Sequence, residues 1–280
     1  MRTATFGPTG IDLPVLGQGT WNLEHDDAAE ALAALEAGID AGLTHIDTAE
    51  LYGNGRVETL LGPLVARRRD ELYLVSKVLP SNASYRGTIA ACDRSLKRLR
   101  TDRLDLYLLH WPGSEPLEET IRAFETLAAD GKISAYGVSN FDVDELDDAV
   151  RIAGRGRIVC NQVLYHLEQR AIEHEVIPRC RKLGVAVVAY SPLGSGRFPS
   201  PRGAGGAVLA GIAAKRDLTP QQVALAFLIQ RSAVFAIPKA AQRAHARQNA
   251  AVGDVELSAK ELSAIDAAFP AKRSRGLPML

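Results

Sequence analysis

The stretch Leu104-Asp-Leu-Tyr-Leu-Leu-His110 decides the fold, because it is a short apolar run that ends on a polar residue. Near-continuous aliphatic runs are typical of strands buried on both faces of a parallel sheet. A helical pattern follows, with Ile121, Phe124 and Leu127 on one face, and we expect its first turn to open at Pro116. The stretch therefore predicts one strand–helix unit of an α/β protein.

The same unit recurs along the whole chain. Eight runs share this character: Val15–Thr20, Leu43–Asp47, Leu72–Lys77, Leu104–His110, Ile133–Asn140, Ile158–Gln162, Val185–Tyr190 and Val234–Lys239. Eight such units fit one closed (β/α)8 TIM barrel of roughly 250 residues, in which the polar strand ends gather at one rim. A doubly wound open sheet is the alternative, and it predicts a phosphate-binding glycine loop. The nearest candidate, Gly203–Gly206, lacks the third glycine and follows no strand, so the sequence favours the barrel.

Three additions to the barrel are expected. Residues Thr3–Leu13 predict a small hairpin before the first barrel strand, and Ser191–Ala233 predict a long connection with two helical stretches after strand 7. Residues Glu256–Phe269 predict a C-terminal helix capped by Ser258. No repeat or linker divides the chain, so we expect residues 1–280 to form a single domain.

Two local features concern helix ends. Asp26 and Asp27 are candidate caps of the first helix, whose apolar face begins at Ala28. Pro63 lies inside the otherwise helical stretch Arg56–Arg68, which predicts a kink there or a helix that starts later.

The composition excludes several classes of protein. Lysine plus arginine equals aspartate plus glutamate at 33 each, and this neutrality argues against nucleic acid or an anionic membrane as the main partner. The three cysteines are widely spaced and form no CxxC or Cys/His cluster, so neither a disulfide framework nor a metal site is expected. The sequence shows no secretory signal pattern or long apolar run. We therefore expect a cytoplasmic protein. We also expect a monomer.

Four chemically useful side chains lie at or just after the strand ends. They are Asp47, Tyr52, Lys77 and His110. Each has an ordinary structural interpretation by itself, such as a solvated strand end or a turn cap. Their importance rests on position, because a barrel brings its strand ends to one rim.

With these residues in place, the sequence resembles the aldo-keto reductase family. Asp47–Gly53 with Asn54, Gly55, Val57 and Glu58 resembles the family's first signature, and Leu104–Trp111 resembles the second. Further likenesses follow in family order at Gly131–Ile133, Gly137–Phe141, Asn161–Gln162 with Tyr165–His166, Tyr190–Leu193 and Ile237–Lys239. Within the family the chain is most similar to compact bacterial members, including methylglyoxal-reductase-like proteins. The segments that carry this closer likeness are Gly17–Trp21, Val75–Val78 and Pro238–Ala241.

The resemblance implies the reduction of a carbonyl by hydride from a nicotinamide cofactor. Tyr52 is then the proton donor, and Lys77 lowers the pKa of its phenol, which is about 10 in isolation. Asp47 holds Lys77 charged and in place, and His110 donates a hydrogen bond to the carbonyl oxygen. The intact set of four argues against a non-catalytic NADP(H)-sensing binding subunit of the same fold, which remains the main alternative. A Schiff-base lyase with Lys77 as nucleophile, and a barrel that has lost its activity, are two further alternatives.

The resemblance also implies a cofactor site without a glycine motif. Ser139, Asn140 and Gln162 would hold the nicotinamide carboxamide, and Tyr190 would stack on the ring. Ser191, Leu193 and Ser195 would lie along the pyrophosphate. The remaining cofactor residues implied by the resemblance are Thr20, Trp21, Asp47, Lys239, His245 and Asn249.

The expected 2′-phosphate site departs from the family's common NADPH pattern. Lys239 and Asn249 match that pattern, whereas Ala240, His245 and Gln248 replace a serine, an arginine and a glutamate. We expect NADPH/NADP+ as the cofactor, with use of NADH left open.

The substrate pocket is expected at the same rim. Trp21, Tyr52, His110 and Trp111 would form an aromatic opening suited to small carbonyl compounds such as methylglyoxal. The loop after His110 is short and the tail after Phe269 is brief, which predicts an open pocket with broad substrate selection.

Overall fold

The computed structural model describes residues 1–230 and 234–280. A two-stranded antiparallel ribbon precedes a sheet of eight parallel strands, whose neighbours follow one another in sequence order. The ribbon strands are β1 (Thr3–Thr5) and β2 (Asp12–Pro14). The barrel strands are β3 (Gln18–Gly19), β4 (His45–Asp47), β5 (Tyr73–Val78), β6 (Leu104–Leu109), β7 (Ile133–Ser139), β8 (Ile158–Leu164), β9 (Ala186–Tyr190) and β10 (Val234–Ala236).

Backbone hydrogen bonds between the first and last strands close this sheet into a barrel. Gly17 N donates to Ala236 O at 2.9 Å, and Gly19 N donates to Pro238 O at 3.2 Å. A Cβ atom at Gly19 would lie 2.6 Å from the Ile237 carbonyl oxygen, so only glycine allows the two strands to approach this closely. The predicted (β/α)8 barrel is confirmed.

The described part of the chain has ten helices, of which the first eight lie between strands and the last two follow β10. They are α1 (Ala28–Asp40), α2 (Arg56–Arg68), α3 (Tyr85–Leu99), α4 (Leu117–Ala129), α5 (Val143–Ala153), α6 (Val176–Leu183), α7 (Ala204–Arg216), α8 (Pro220–Ile229), α9 (Arg243–Ala250) and α10 (Ala259–Ala268). The two extra helices predicted after strand 7 are α7 and α8, although the predicted segment ends at Ala233, outside the described residues. The predicted C-terminal helix is α10. No helix in residues 1–230 or 234–280 combines the length and the apolarity that crossing a membrane requires.

The N-terminal hairpin covers the end of the barrel opposite the polar rim. Phe6, which is fully buried, packs its ring against Tyr73 at 5.5 Å and Phe235 at 5.0 Å between ring centroids. Gly7 follows with φ of +54°, and a Cβ there would lie 2.2 Å from the Val159 carbonyl oxygen. The hairpin thus seals the barrel floor, and the opposite rim remains available for a site.

Several helix ends differ in detail from the sequence prediction. The side chain of Asp27 caps α1, whereas Asp26 does not cap it. Pro116 is the residue before α4 and not part of its first turn. The prediction of a late start at Pro63 is wrong, since α2 runs unbroken from Arg56 to Arg68. Its buried face, which includes Leu61 and Leu64, packs on the barrel and offsets the hydrogen bond that proline cannot donate.

Candidate active site

At the polar rim, a buried lysine joins an aspartate to a tyrosine. Lys77 Nζ donates to Asp47 Oδ1 at 2.6 Å, to the Tyr52 hydroxyl oxygen at 3.0 Å and to the carbonyl oxygen of Thr48 at 2.9 Å. Neighbouring parallel strands β4 and β5 end here side by side, which brings Asp47 and Lys77 together. The loop after β4 then turns back and places Tyr52 over the ammonium group, whose three protons all have acceptors.

Burial and neighbouring charges shift the pKa values of Lys77 and Tyr52 in opposite directions. Burial lowers the pKa of Lys77, because it disfavours the charged ammonium. The Asp47 carboxylate and Tyr52 raise this pKa by more than burial lowers it, so the net pKa of Lys77 lies above its usual value. Burial raises the pKa of Tyr52 above 10, while the Lys77 ammonium beside it acts in the opposite direction. The effect expected of Lys77 is therefore present, although the net pKa of Tyr52 is raised because its phenol is removed from water. Tyr52 is protonated at neutral pH.

His110 lies beside this group at the end of β6. Its ring meets that of Tyr52 edge to face, with 5.8 Å between ring centroids, and Trp111 packs on its other side at 4.8 Å. Burial, and to a lesser degree the Lys77 charge, lower the pKa of His110 to about 2. The imidazole is therefore neutral at physiological pH and carries one N–H, so it is a hydrogen-bond donor without net charge.

The next strand ends contribute amides and hydroxyls. Gln162 Nε2 donates to Asp47 Oδ2 at 2.7 Å, so both carboxylate oxygens of Asp47 are engaged. Asn140 Nδ2 donates to Ser139 Oγ at 3.2 Å, and the Tyr190 hydroxyl donates to Asn140 Oδ1 at 3.0 Å. The four expected cofactor residues Ser139, Asn140, Gln162 and Tyr190, which lie on or just after β7, β8 and β9, thus form one continuous polar surface with the catalytic candidates.

This surface lines a cavity of about 470 Å³. Fourteen residues expected from the sequence lie on its wall: Thr20, Trp21, Asp47, Tyr52, His110, Trp111, Ser139, Asn140, Gln162, Tyr190, Ser191, Leu193, Ser195 and Lys239. Lys77 lies beneath the wall, fully buried under Asp47 and Tyr52. His245 and Asn249 are on α9, outside the wall, and of these two Asn249 is buried whereas His245 is exposed.

Some wall residues were not anticipated from the sequence. Met279 and Leu280 come from the C-terminal tail, which reaches back across the barrel mouth to the cavity. The short tail was expected to leave the pocket open, yet its last residues form part of the wall. The Thr48 carbonyl that accepts from Lys77 was also not anticipated, since a backbone acceptor leaves no mark in the sequence.

The residues present fit a nicotinamide dinucleotide. Asn140 and Gln162 offer side-chain amides next to the flat ring of Tyr190, and Ser191 and Ser195 offer hydroxyls further along the wall. Ser191 and Ser195 both adopt left-handed backbone conformations, with φ of +47° and +49°. Such strained turns in non-glycine residues are concentrated at ligand-binding loops. Lys239 adds a cation at the far rim, as an anionic dinucleotide requires.

Comparison with known proteins agrees with this geometry. The model of the aldo/keto reductase family matches residues 15–269. Methylglyoxal reductase YeaE of Escherichia coli is 46% identical over 268 residues, covering 95% of this chain and 94% of that protein. Glyoxal reductase of Bacillus subtilis is 36% identical, covering 92% and 90%.

Solved structures give the same result. An aldo/keto reductase from Klebsiella pneumoniae, in complex with NADP and acetate, superposes with a TM-score of 0.93 at 40% identity over the full length of both chains. A second Klebsiella pneumoniae structure, in complex with NADPH, gives 0.93 at 41% identity, also over both full lengths. The chain belongs to the aldo/keto reductase family.

Proposed function

We propose that this protein reduces small aldehydes and ketones with NADPH and that Tyr52 donates the proton. The observation that carries the proposal is the buried contact of Lys77 Nζ with both Asp47 and the Tyr52 hydroxyl, below the floor of the cavity. The Klebsiella pneumoniae relatives were solved with NADP or NADPH, which supports this choice of cofactor.

A bound NADPH supplies hydride to the carbonyl carbon, with Ser139, Asn140, Gln162 and Tyr190 as the residues that would hold its nicotinamide. The protein supplies the proton and the geometry. Tyr52 is protonated at neutral pH and faces the cavity, so it is a donor to the carbonyl oxygen. The adjacent Lys77 ammonium stabilises the phenolate that remains after the transfer.

The surrounding residues hold Lys77 in place beside Tyr52 and add a second hydrogen-bond donor. Asp47 holds the Lys77 ammonium, and Gln162 occupies the second oxygen of Asp47, so the carboxylate cannot rotate towards the cavity without losing a hydrogen bond. Neutral His110, next to Tyr52, is a second hydrogen-bond donor for the carbonyl oxygen and orients the substrate.

For the substrate, we propose small 2-oxoaldehydes such as methylglyoxal. Trp21, Trp111 and the tail residues Met279 and Leu280 add apolar surface to a cavity wall that also carries polar residues. The names of the Escherichia coli and Bacillus subtilis relatives, methylglyoxal reductase and glyoxal reductase, support this class of substrate.

The test replaces Tyr52 by phenylalanine in the full chain. We expect Tyr52→Phe to lower kcat for methylglyoxal by at least about 10²-fold, the usual effect of losing a general acid, while the Kd of NADP+ stays unchanged. Consumption of NADPH and quenching of protein fluorescence measure kcat and the Kd, respectively.

Tyr107→Phe is the matched control, because Tyr107 is buried and its hydroxyl has no hydrogen-bond partner among the described residues. Wild-type turnover in Tyr52→Phe would contradict the proposed role, and binding of NADP+ without turnover in the wild type would favour the cofactor-sensing alternative.

A further inference from the structure

The cation at the far rim of the cavity is already paired with a carboxylate. Lys239 Nζ forms an ion pair with Asp26 and also donates to the Asn22 carbonyl oxygen at 3.2 Å. Among the described residues that line the cavity, Lys239 is the one lysine or arginine. An anionic group that binds at this rim therefore meets a cation whose charge the protein itself has neutralised.

The position of Asp26 is fixed by residues on either side of it. Leu23, at the start of a short 3₁₀ helix over Leu23–His25, is fully buried and anchors the segment. The Asp27 carboxylate caps α1, because its Oδ1 accepts hydrogen bonds from the backbone N–H groups of Ala29 and Glu30. Asp26 lies between these two anchors, so the backbone places its carboxylate within reach of Lys239.

The pair is not sealed off from water. The side chains of Lys239 and Asp26 are 31% and 30% exposed, although the Asp26 Oδ2 atom that contacts Lys239 is itself buried. Lys239 also lines the cavity, so an anion in the cavity can approach it. Pairs with this degree of exposure are weak and can be exchanged for a stronger acceptor such as a phosphate. Arg243, His245 and Arg247 on α9 are exposed, and no carboxylate among the described residues pairs with them.

Resting on the proposed function, we propose that Asp26 is a specificity-determining residue for the cofactor. Its carboxylate competes with the 2′-phosphate of NADP for Lys239 and so lowers the preference of the enzyme for NADP over NAD. NAD carries no 2′-phosphate, so it binds without breaking the Asp26–Lys239 pair. Selectivity is the difference between two affinities, and a repulsive or competing group acts on one of them.

The experiment measures the Kd of NADP+ and of NAD+ for the full chain by titration calorimetry. Asp26→Asn should tighten NADP+ binding by about two- to fivefold, the scale at which partly exposed ion pairs act. The Kd of NAD+ should stay the same. Glu30→Gln is the matched control, because it removes the same charge from an exposed residue one turn away that does not contact Lys239. It should change neither Kd.

A double-mutant cycle tests the mechanism. In a Lys239→Met background, Asp26→Asn should have no effect on the Kd of NADP+, because the partner for which Asp26 competes is absent. Asp26→Ser provides a second variant in case the asparagine disturbs the loop, and it should act in the same direction as Asp26→Asn.

An unchanged ratio of the two Kd values in both Asp26 variants would overturn this inference alone. An effect of Asp26→Asn on the Kd of NADP+ that persists in the Lys239→Met background would also overturn it. Failure of the wild type to bind either dinucleotide would overturn the proposed function, and this inference with it.

Discussion

Arg98 on α3 donates a 2.6 Å hydrogen bond from Nε to the carboxylate of Glu58 on α2, which is fully buried. The other oxygen of Glu58 accepts from Ser76 Oγ at 2.6 Å. Ser76 directly precedes Lys77, and α2 begins directly after the loop that carries Tyr52. The buried Glu58 carboxylate thus links β5, which carries Lys77, to α2, which follows Tyr52.

Removing Arg98 should therefore destabilise the protein, because it leaves the buried Glu58 charge without its cationic partner. We expect Arg98→Ala to lower the free energy of unfolding by about 3 kcal/mol, at the lower end of the range for breaking a buried pair since Arg98 is partly exposed. Urea unfolding measures this. Arg94→Ala is the control: Arg94 is 49% exposed and reaches Glu50 only at 3.4 Å, so its loss should cost less than about 1 kcal/mol. Equal losses in the two variants would contradict the prediction.

Carbonyl reduction should be nearly independent of pH between about 6 and 9. A general acid must be protonated, and the pKa of Tyr52 is raised above 10 by burial, so activity is present below that pKa and lost as the pH rises through it. His110, with its pKa lowered to about 2 by burial, stays neutral throughout the range. Initial rates at saturating NADPH and methylglyoxal measure the profile. A loss of activity between about pH 6 and 8 would show that a histidine titrates in the reaction.

Acid should destabilise the fold through His45. This residue lies on β4 inside the barrel, and burial lowers its pKa from 6.5 to about 4, with Asp47 and Lys77 contributing opposite smaller effects. Neither ring nitrogen has a hydrogen-bond partner among the described residues. Below pH 6.5 the unfolded chain binds the proton more readily than the folded one, so stability falls as the pH drops from about 6.5 to about 4.

His45→Phe should remove this contribution, which amounts to about 2 kcal/mol between pH 7 and pH 5. Urea unfolding at the two pH values gives the difference for each protein, and packing changes cancel within each variant. His25→Gln is the control, since it also removes one histidine but from a side chain that is 69% exposed, in contrast to the buried His45. An unchanged pH dependence in His45→Phe would contradict the prediction.

Residues whose importance follows from strand ends could be predicted without coordinates. Asp47, Lys77 and His110 end apolar runs. In a closed parallel barrel all strands end at the same rim, so these residues lie close together. The expectation that the helix starts late at Pro63 was wrong because helix propensity is a local property, whereas the packing of Leu61 and Leu64 on the barrel is not. His245 was expected at the cofactor by its place in a motif, but its helix leaves it exposed outside the cavity wall.

By itself, the sequence determined the barrel and which side chains lie at its rim. The reason is that apolar strand runs and helices with one apolar face alternate along the chain, and this pattern can be recognised without coordinates. The tertiary structure alone decided which groups pair. It placed Asp26 on Lys239, Gln162 on Asp47, and Met279 with Leu280 at the cavity. The physical reason is that the strength of an ion pair and the pKa of a phenol depend on distance and on exclusion of water. Only the folded chain fixes these two quantities.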